Sequence, residues 1–135
     1  MLEGMILKAN MVLPGLACPK QETVNEVANA TVKSLSQVVP AAVPGVAFLS
    51  GGQSCELASA RLNAMNAKSR SPLPWALAFS FARAIQQPAL EIWKGSIHNV
   101  VAAQNALYHR AKCNKAARQG EYTAAMEETP SLTHA

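Results

Sequence analysis

Lys8 lies in the run Met5-Ile6-Leu7-Lys8-Ala9-Asn10-Met11-Val12, where apolar residues surround it on both sides. An amine held in such a run is a candidate nucleophile. Desolvation disfavours the ammonium form, lowers the pKa and frees the lone pair to form a Schiff base with a carbonyl carbon. The same pattern suits a strand-edge lysine whose ammonium reaches water along its alkyl stem, and spacing alone leaves both readings open. The run Phe48-Leu49-Ser50-Gly51-Gly52-Gln53-Ser54 carries a second signal. Two glycines let backbone N–H groups approach an anion, the following helix adds its dipole, and the Ser50 hydroxyl adds a donor. A tight strand-to-helix turn needs glycines for its own sake, so this pattern also has a purely conformational reading. In Phe79-Ser80-Phe81-Ala82-Arg83 an arginine follows an apolar run. It is placed either to grip a phosphate with two N–H groups or to sit on a helix surface in water.

These groups gain meaning from the elements that carry them. Met5 to Val12, Val46 to Ser50 and Trp75 to Ala82 read as short strands, apolar at both sets of alternating positions and so expected to be buried on both faces. A helix is predicted to open at Thr23, with Glu26 three residues on in a capping-box pattern, and to continue through Val24, Val27, Ala28, Thr31, Leu35 and Val38. Pro40 and Pro44-Gly45 close it. A second helix is predicted from about Ser54 to Met65, with Leu57, Ala58, Leu62 and Met65 on one face. A short helix follows from Arg83, with an interruption expected at Gln87-Pro88. The last runs from Ser96 to about Arg118, with Ile97, Val100, Val101, Gln104, Leu107, Tyr108 and Ala111 as its apolar stripe. Residues 124–135 lack a period and read as a loose tail after a folded unit spanning 1–123.

Alternating strands and helices imply parallel pairing through right-handed crossovers. A closed eight-fold barrel of such units takes roughly 250 residues, whereas this chain supplies about three units. The expected class is therefore α/β, as a small open sheet or part of a barrel. The functional groups fall at the carboxyl ends of the three strands, where parallel sheets place their sites. Together they describe an amine nucleophile beside a phosphate cradle.

Composition narrows the function. The 135 residues are 50% apolar, enough for a core without disulfides or a structural metal. Seven aromatics and scattered basic residues at a net charge of +4 make a poor stacking platform, so no nucleic-acid partner is expected. No apolar run spans a membrane and no signal peptide is recognisable. Three cysteines without C-x-x-C spacing suit a reducing, cytoplasmic compartment. The chain contains no Asp, which removes the commonest magnesium or calcium ligand type and the acid of an Asp-based triad. His98, His109 and His134 show no partner at metal-ligand spacing. Cys18 and Cys113 read as structural or solvent-facing. Cys55, in a first helical turn, is the thiol whose pKa a helix dipole would lower. Trp75 and Trp93 are expected in packing, and Glu56 as a complement to a helix N-terminus.

The three runs quoted above, extended to Leu2-Glu3-Gly4 before the first and from Trp75 to Ala84 in the third, resemble class I fructose-1,6-bisphosphate aldolases in order and separation. The likeness reaches to about Tyr122, and the loops have a bacterial flavour. It implies a (β/α)8 barrel of which this chain is the C-terminal part, strands six to eight. It implies that Lys8 forms the Schiff base with fructose 1,6-bisphosphate or dihydroxyacetone phosphate, and that no metal or other cofactor is needed because the iminium takes the place of zinc. It further implies that Ser50, Gly51, Ser80, Ala82 and Arg83 hold the ketose phosphate. Ala9 replaces a frequent proline, Ala82 a frequent glycine and Cys55 a usual acidic residue, and the chain ends Thr133-His134-Ala135 instead of in a tyrosine. The family's aspartate, its other lysines and its proton-handling glutamate lie outside this sequence. The alternatives are a part-barrel that binds sugar phosphates without turnover and an inactive fragment. Open strand edges imply self-association into a homo-oligomer or docking of a complementary barrel segment.

Overall fold

The computed structural model describes residues 1–67 and 73–128. Three short parallel strands form one sheet in the order β1 (Ile6–Ala9), β2 (Gly45–Phe48), β3 (Ala76–Phe79). Helix α1 (Val24–Val38) connects β1 to β2, and α2 (Cys55–Ala67) follows β2. Helices α3 (Arg83–Trp93) and α4 (Val100–Gln119) follow β3, with a 3-10 turn at Ile97–Asn99 between them. The expected order of elements is therefore present, with each strand trimmed to four residues.

One face of the sheet makes the core. Val46 and Phe48 on β2 and Leu77 on β3 are buried, together with Val27, Ala28 and Leu35 of α1 and Ala58, Leu62 and Met65 of α2. The pairing sets Ile6, Gly45 and Ala76 in one row and Lys8, Ala47 and Ala78 in another. Side chains alternate across a strand, so these rows share the opposite face. That face is uncovered, with Ile6 60% exposed. The expectation of strands buried on both sides therefore fails: the sequence is apolar at both sets of positions, but helices cover only one. The open rows carry mostly Gly and Ala, the face that in a closed barrel would point inward.

Local signals place the helices. The capping box of α1 is present, with Thr23 Oγ1 accepting from Glu26 N and Glu26 accepting from Thr23 N at 2.9 Å. Buried Thr31 donates to Val27 O at 2.7 Å and accepts from Val12 N at 2.9 Å, tying the segment after β1 to α1. Pro88 does not interrupt α3, which runs through it. Its ring removes one N–H, and packing of α3 against α4 holds the helix across the gap. Helix α4 ends in a Schellman motif, where Gly120 takes φ +75° and Glu121 N bonds Ala116 O at 2.9 Å. A Cβ on Gly120 would lie 3.1 Å from the Ala67 backbone, so the ends of α2 and α4 meet where only glycine fits.

The main departure is the orientation of α4. Its expected apolar stripe faces outward, with Ile97 79%, Val101 67% and Tyr108 63% exposed. The buried face carries Ala103, Arg110, Cys113, Asn114, Ala116 and Ala117. Small residues let the helix approach α2, and the polar ones are paired there. Residues 124–128, expected to begin a loose tail, form a 3-10 turn at Ala124–Met126 and return Glu127 to α4. The rest of that segment lies outside the described residues. Among the described residues no helix is long and apolar enough to cross a membrane.

Candidate active site

The sheet brings the sequence-predicted residues to one edge. Parallel pairing gives the three strands a common carboxyl end, and backbone bonds from Leu49 N to Ala9 O and from Ser80 N to Phe48 O, both 2.8 Å, extend the ladder there. Lys8 is the penultimate residue of β1, Ser50 follows β2 by two residues, and Ser80 follows β3 directly. Ala82 precedes the first turn of α3 and Arg83 opens it. Lys8 stands on the uncovered face in a row with Ala47 and Ala78. It is exposed, so this chain does not supply the burial that the apolar run predicted. Among the described residues Lys8 and Arg83 make no hydrogen bond or ion pair, and both cationic heads are free to meet an anion or a carbonyl.

The loop after β2 is built for its shape. Ser50 is buried, and its carbonyl accepts from Gln53 N at 3.1 Å and from Gln53 Nε2 at 2.8 Å. Gly51 and Gly52 take φ +60° and +82°, and Ser54 caps α2 by accepting from Leu57 N at 3.2 Å. Beneath lies a group that the sequence alone does not single out. Buried Arg61 donates to Gln53 Oε1 at 2.9 Å and to Glu22 O at 3.1 Å, so a cation fixes the side chain that fixes the loop. Desolvation lowers the Arg61 pKa from its ordinary value. An arginine beside Ala58 and Leu62 on the buried face of α2 was the available signal. A Cβ on Gly51 would stand 3.0 Å from Leu13 Cδ1 and 3.3 Å from Asn10 Oδ1 in left-handed backbone. Gly51→Ala should therefore cost about 1–2 kcal/mol in urea unfolding, the ordinary penalty of a Cβ in that region.

A second polar cluster joins α2, α4 and the final turn. Arg110 pairs with Glu127 Oε2 and donates to Cys55 O at 3.1 Å and Ser59 Oγ at 2.9 Å. Ser59 also donates to Asn114 Oδ1 at 3.0 Å, and Tyr122 Oη donates to Glu127 Oε1 at 2.7 Å. Burial works to raise the Glu127 pKa, but the bonds from Tyr122 and Arg110 outweigh it and hold the carboxyl below its ordinary range. Burial pushes the Cys55 thiol up, against the expected lowering at a helix start. Cys113 is fully buried and its thiol is also pushed up by desolvation, while Cys18 is exposed. His109, expected to stand alone, faces Cys113 Sγ at 3.6 Å and Glu127 Oε2 at 3.4 Å. Trp75 is buried and donates to Pro40 O at 3.0 Å, whereas Trp93 is 43% exposed.

Three adjacent parallel strands with their helices thus carry an amine, a glycine turn and an arginine toward their common carboxyl end, the arrangement of part of a parallel α/β sheet. Comparison with known proteins agrees. The family model for class-I fructose-bisphosphate aldolase matches residues 1–134. The chain is 54% identical over 121 residues to fructose-bisphosphate aldolase B of Gallus gallus, covering 90% of this chain and 33% of that protein. It is 52% identical over 127 residues to fructose-bisphosphate aldolase C of Pan troglodytes, covering 94% and 35%. A solved structure of fructose-bisphosphate aldolase from Plasmodium falciparum, in complex with TRAP and a small-molecule inhibitor, superimposes with a TM-score of 0.86 at 47% identity, over 91% of this chain and 35% of that one. The chain belongs to the class I fructose-bisphosphate aldolase family. It spans about a third of the length of these relatives, and its three parallel strands and helices fit part of a TIM barrel.

Proposed function

We propose that this chain carries the Schiff-base lysine and the ketose-phosphate cradle of a cytoplasmic class I fructose-1,6-bisphosphate aldolase, and that residues 1–123 are strands six to eight of its barrel with their helices. The reading is supported by the position of Lys8, the Ser50-Gly51-Gly52 turn and Arg83 at or just beyond the carboxyl ends of three adjacent parallel strands. Lys8 Nζ attacks ketone carbon C2 of fructose 1,6-bisphosphate and the carbonyl oxygen leaves as water; a base takes the proton of the C4 hydroxyl, the C3–C4 bond breaks, and the iminium accepts its electron pair to become an enamine. Glyceraldehyde 3-phosphate departs, a proton is returned to C3 of the enamine, and hydrolysis of the regenerated iminium releases dihydroxyacetone phosphate and the free amine. No metal enters these steps. Ser50, Gly51, Ser80 and the Ala82 N–H donate to the substrate phosphate, and Arg83 grips it by two N–H groups.

The proton-handling groups come from the remainder of the barrel, on a longer chain or a partner chain. That part closes the uncovered face and the free edges of β1 and β3. General acid–base help is commonly worth about 10²–10⁴-fold, so the chain by itself binds and condenses with the ketone far better than it turns over. A second reading, binding of sugar phosphates without cleavage, is favoured by the absence of any Asp and by the exposure of Lys8. Thermal unfolding with dihydroxyacetone phosphate tests the shared premise. A ligand at about 100 times its Kd adds about 2.7 kcal/mol to stability, so a saturable rise in melting temperature is expected. A cooperatively melting chain with no rise at any concentration contradicts both readings.

A further inference from the structure

The geometry points to a soft divalent-metal site, of the zinc class, formed by His109, Cys113 and Glu127 on the side of α4 that faces α2 and the final turn. It is separate from the strand-end site and rests on different residues. His109 and Cys113 are four apart on one helix, so both side chains project from the same face. Glu127 approaches that face from the residue after the 3-10 turn. Nε2 of His109, Sγ of Cys113 and a carboxylate oxygen of Glu127 all lie within 4.8 Å of one another.

The separations are informative. His109 Nε2 stands 3.4 Å from Glu127 Oε2 and 3.6 Å from Cys113 Sγ. One nitrogen faces two acceptors, and 3.4 Å is beyond the usual ~2.7–3.2 Å of an N–H···O bond. A tetrahedral ion with Zn–N of about 2.05 Å, Zn–S of about 2.3 Å and Zn–O of about 2.1 Å has ligand edges of about 3.6 Å for N···S and about 3.4 Å for N···O. Both edges at His109 match, and the third, between Cys113 Sγ and the Glu127 carboxylate, is no longer than 4.8 Å against about 3.6 Å in such a site, so binding draws thiolate and carboxylate together around the ion.

The surroundings favour that use. Cys113 is fully buried, while His109 and Glu127 are each 19% exposed, so the cluster lies at the margin of the core with two of its ligands in contact with solvent. Tyr122 holds the other Glu127 oxygen at 2.7 Å and Arg110 pairs with the first, orienting the carboxylate as outer partners do in metal centres. Binding is an exchange of charge: the ion replaces the thiol proton, which goes to solvent. Thiolate and carboxylate neutralise the 2+ ion, and Arg110, whose charge Glu127 balances when no ion is bound, then shares that carboxylate with the metal while keeping its bonds to Cys55 O and Ser59 Oγ, a cost that binding must exceed.

Cobalt(II) titration of the chelator-treated 135-residue chain tests this. One Co(II) per chain should bind with a thiolate-to-cobalt charge-transfer band that zinc(II) abolishes by competition. Cys18→Ser should keep the band. Cys113→Ser should lose it, and His109→Gln should weaken binding at least about tenfold, the lower end of what even outer partners contribute. Because Cys113 is buried, circular dichroism checks the fold of each variant, and the partly exposed His109→Gln decides the matter if Cys113→Ser does not fold. Absence of the band in folded wild-type chain, a band that survives Cys113→Ser, or unchanged affinity in His109→Gln would show only a hydrogen-bonded cluster around Arg110 and overturns the assignment.

Discussion

Arg83→Ala should lower the affinity of the chain for dihydroxyacetone phosphate by about 10- to 150-fold, while the melting temperature without ligand stays nearly unchanged. The binding loss follows from removing hydrogen bonds to a charged group, each worth roughly 1.5–3 kcal/mol, at about 1.4 kcal/mol per tenfold. The lack of a stability effect follows from position: Arg83 is exposed and makes no bond among the described residues. Arg83→Lys should fall between, because an ammonium keeps the charge and loses the planar fork. Calorimetric titration reads all three. Equal affinities for wild type and Arg83→Ala would remove Arg83 from the phosphate site.

Arg110→Leu should have the largest effect on folding, about 3–5 kcal/mol. That is what removing one partner of a buried pair costs when the other charge is left behind. Arg110 is 4% exposed and serves three acceptors, Glu127, Cys55 O and Ser59 Oγ, that join α2, α4 and the final turn. Domains of this size are stable by about 5–15 kcal/mol, so the change removes a large share of the total. With urea m values of about 1–3 kcal/mol/M, the midpoint should fall by at least about 1 M. Glu127→Gln should cost less, since that side chain is 19% exposed and the amide oxygen still accepts. A midpoint shift in Arg110→Leu no larger than that of an exposed substitution such as Lys112→Ala would show that the cluster does not hold the helices together.

Much of this was legible from residue types. The capping box at Thr23 and Glu26 marked the start of α1, and Gly51-Gly52 marked the turn into α2, because both are local conformational demands. The strand-end position of Lys8, Ser50 and Arg83 followed from alternation of strands and helices. Features that depend on neighbours were not legible. Lys8 sits in an apolar run, yet it is exposed, because hydropathy records what a residue prefers and cannot show which face other elements cover. The face of α4 was misread for a related reason. Its long aliphatic residues drew attention, whereas the buried side uses Ala103, Ala116 and Ala117 for close approach and pairs Arg110 and Asn114. Pro88 looked like a break because local sequence cannot weigh one lost bond against packing on α4. Arg61 and His109 were visible as residues, but their partners Gln53 and Glu127 come from other elements.

If Lys8 is a nucleophile beside a phosphate site, borohydride in the presence of dihydroxyacetone phosphate should trap it. In a folded sample, reduction should fix a three-carbon phosphate adduct on one peptide, and mass mapping should place it on Lys8. Lys8→Arg should abolish it, and Arg83→Ala should shift its formation to higher ligand concentration. A folded chain that yields no adduct, or one whose adducts scatter over Lys33, Lys94 and Lys112 as readily as Lys8, would show that Lys8 is not a selective nucleophile.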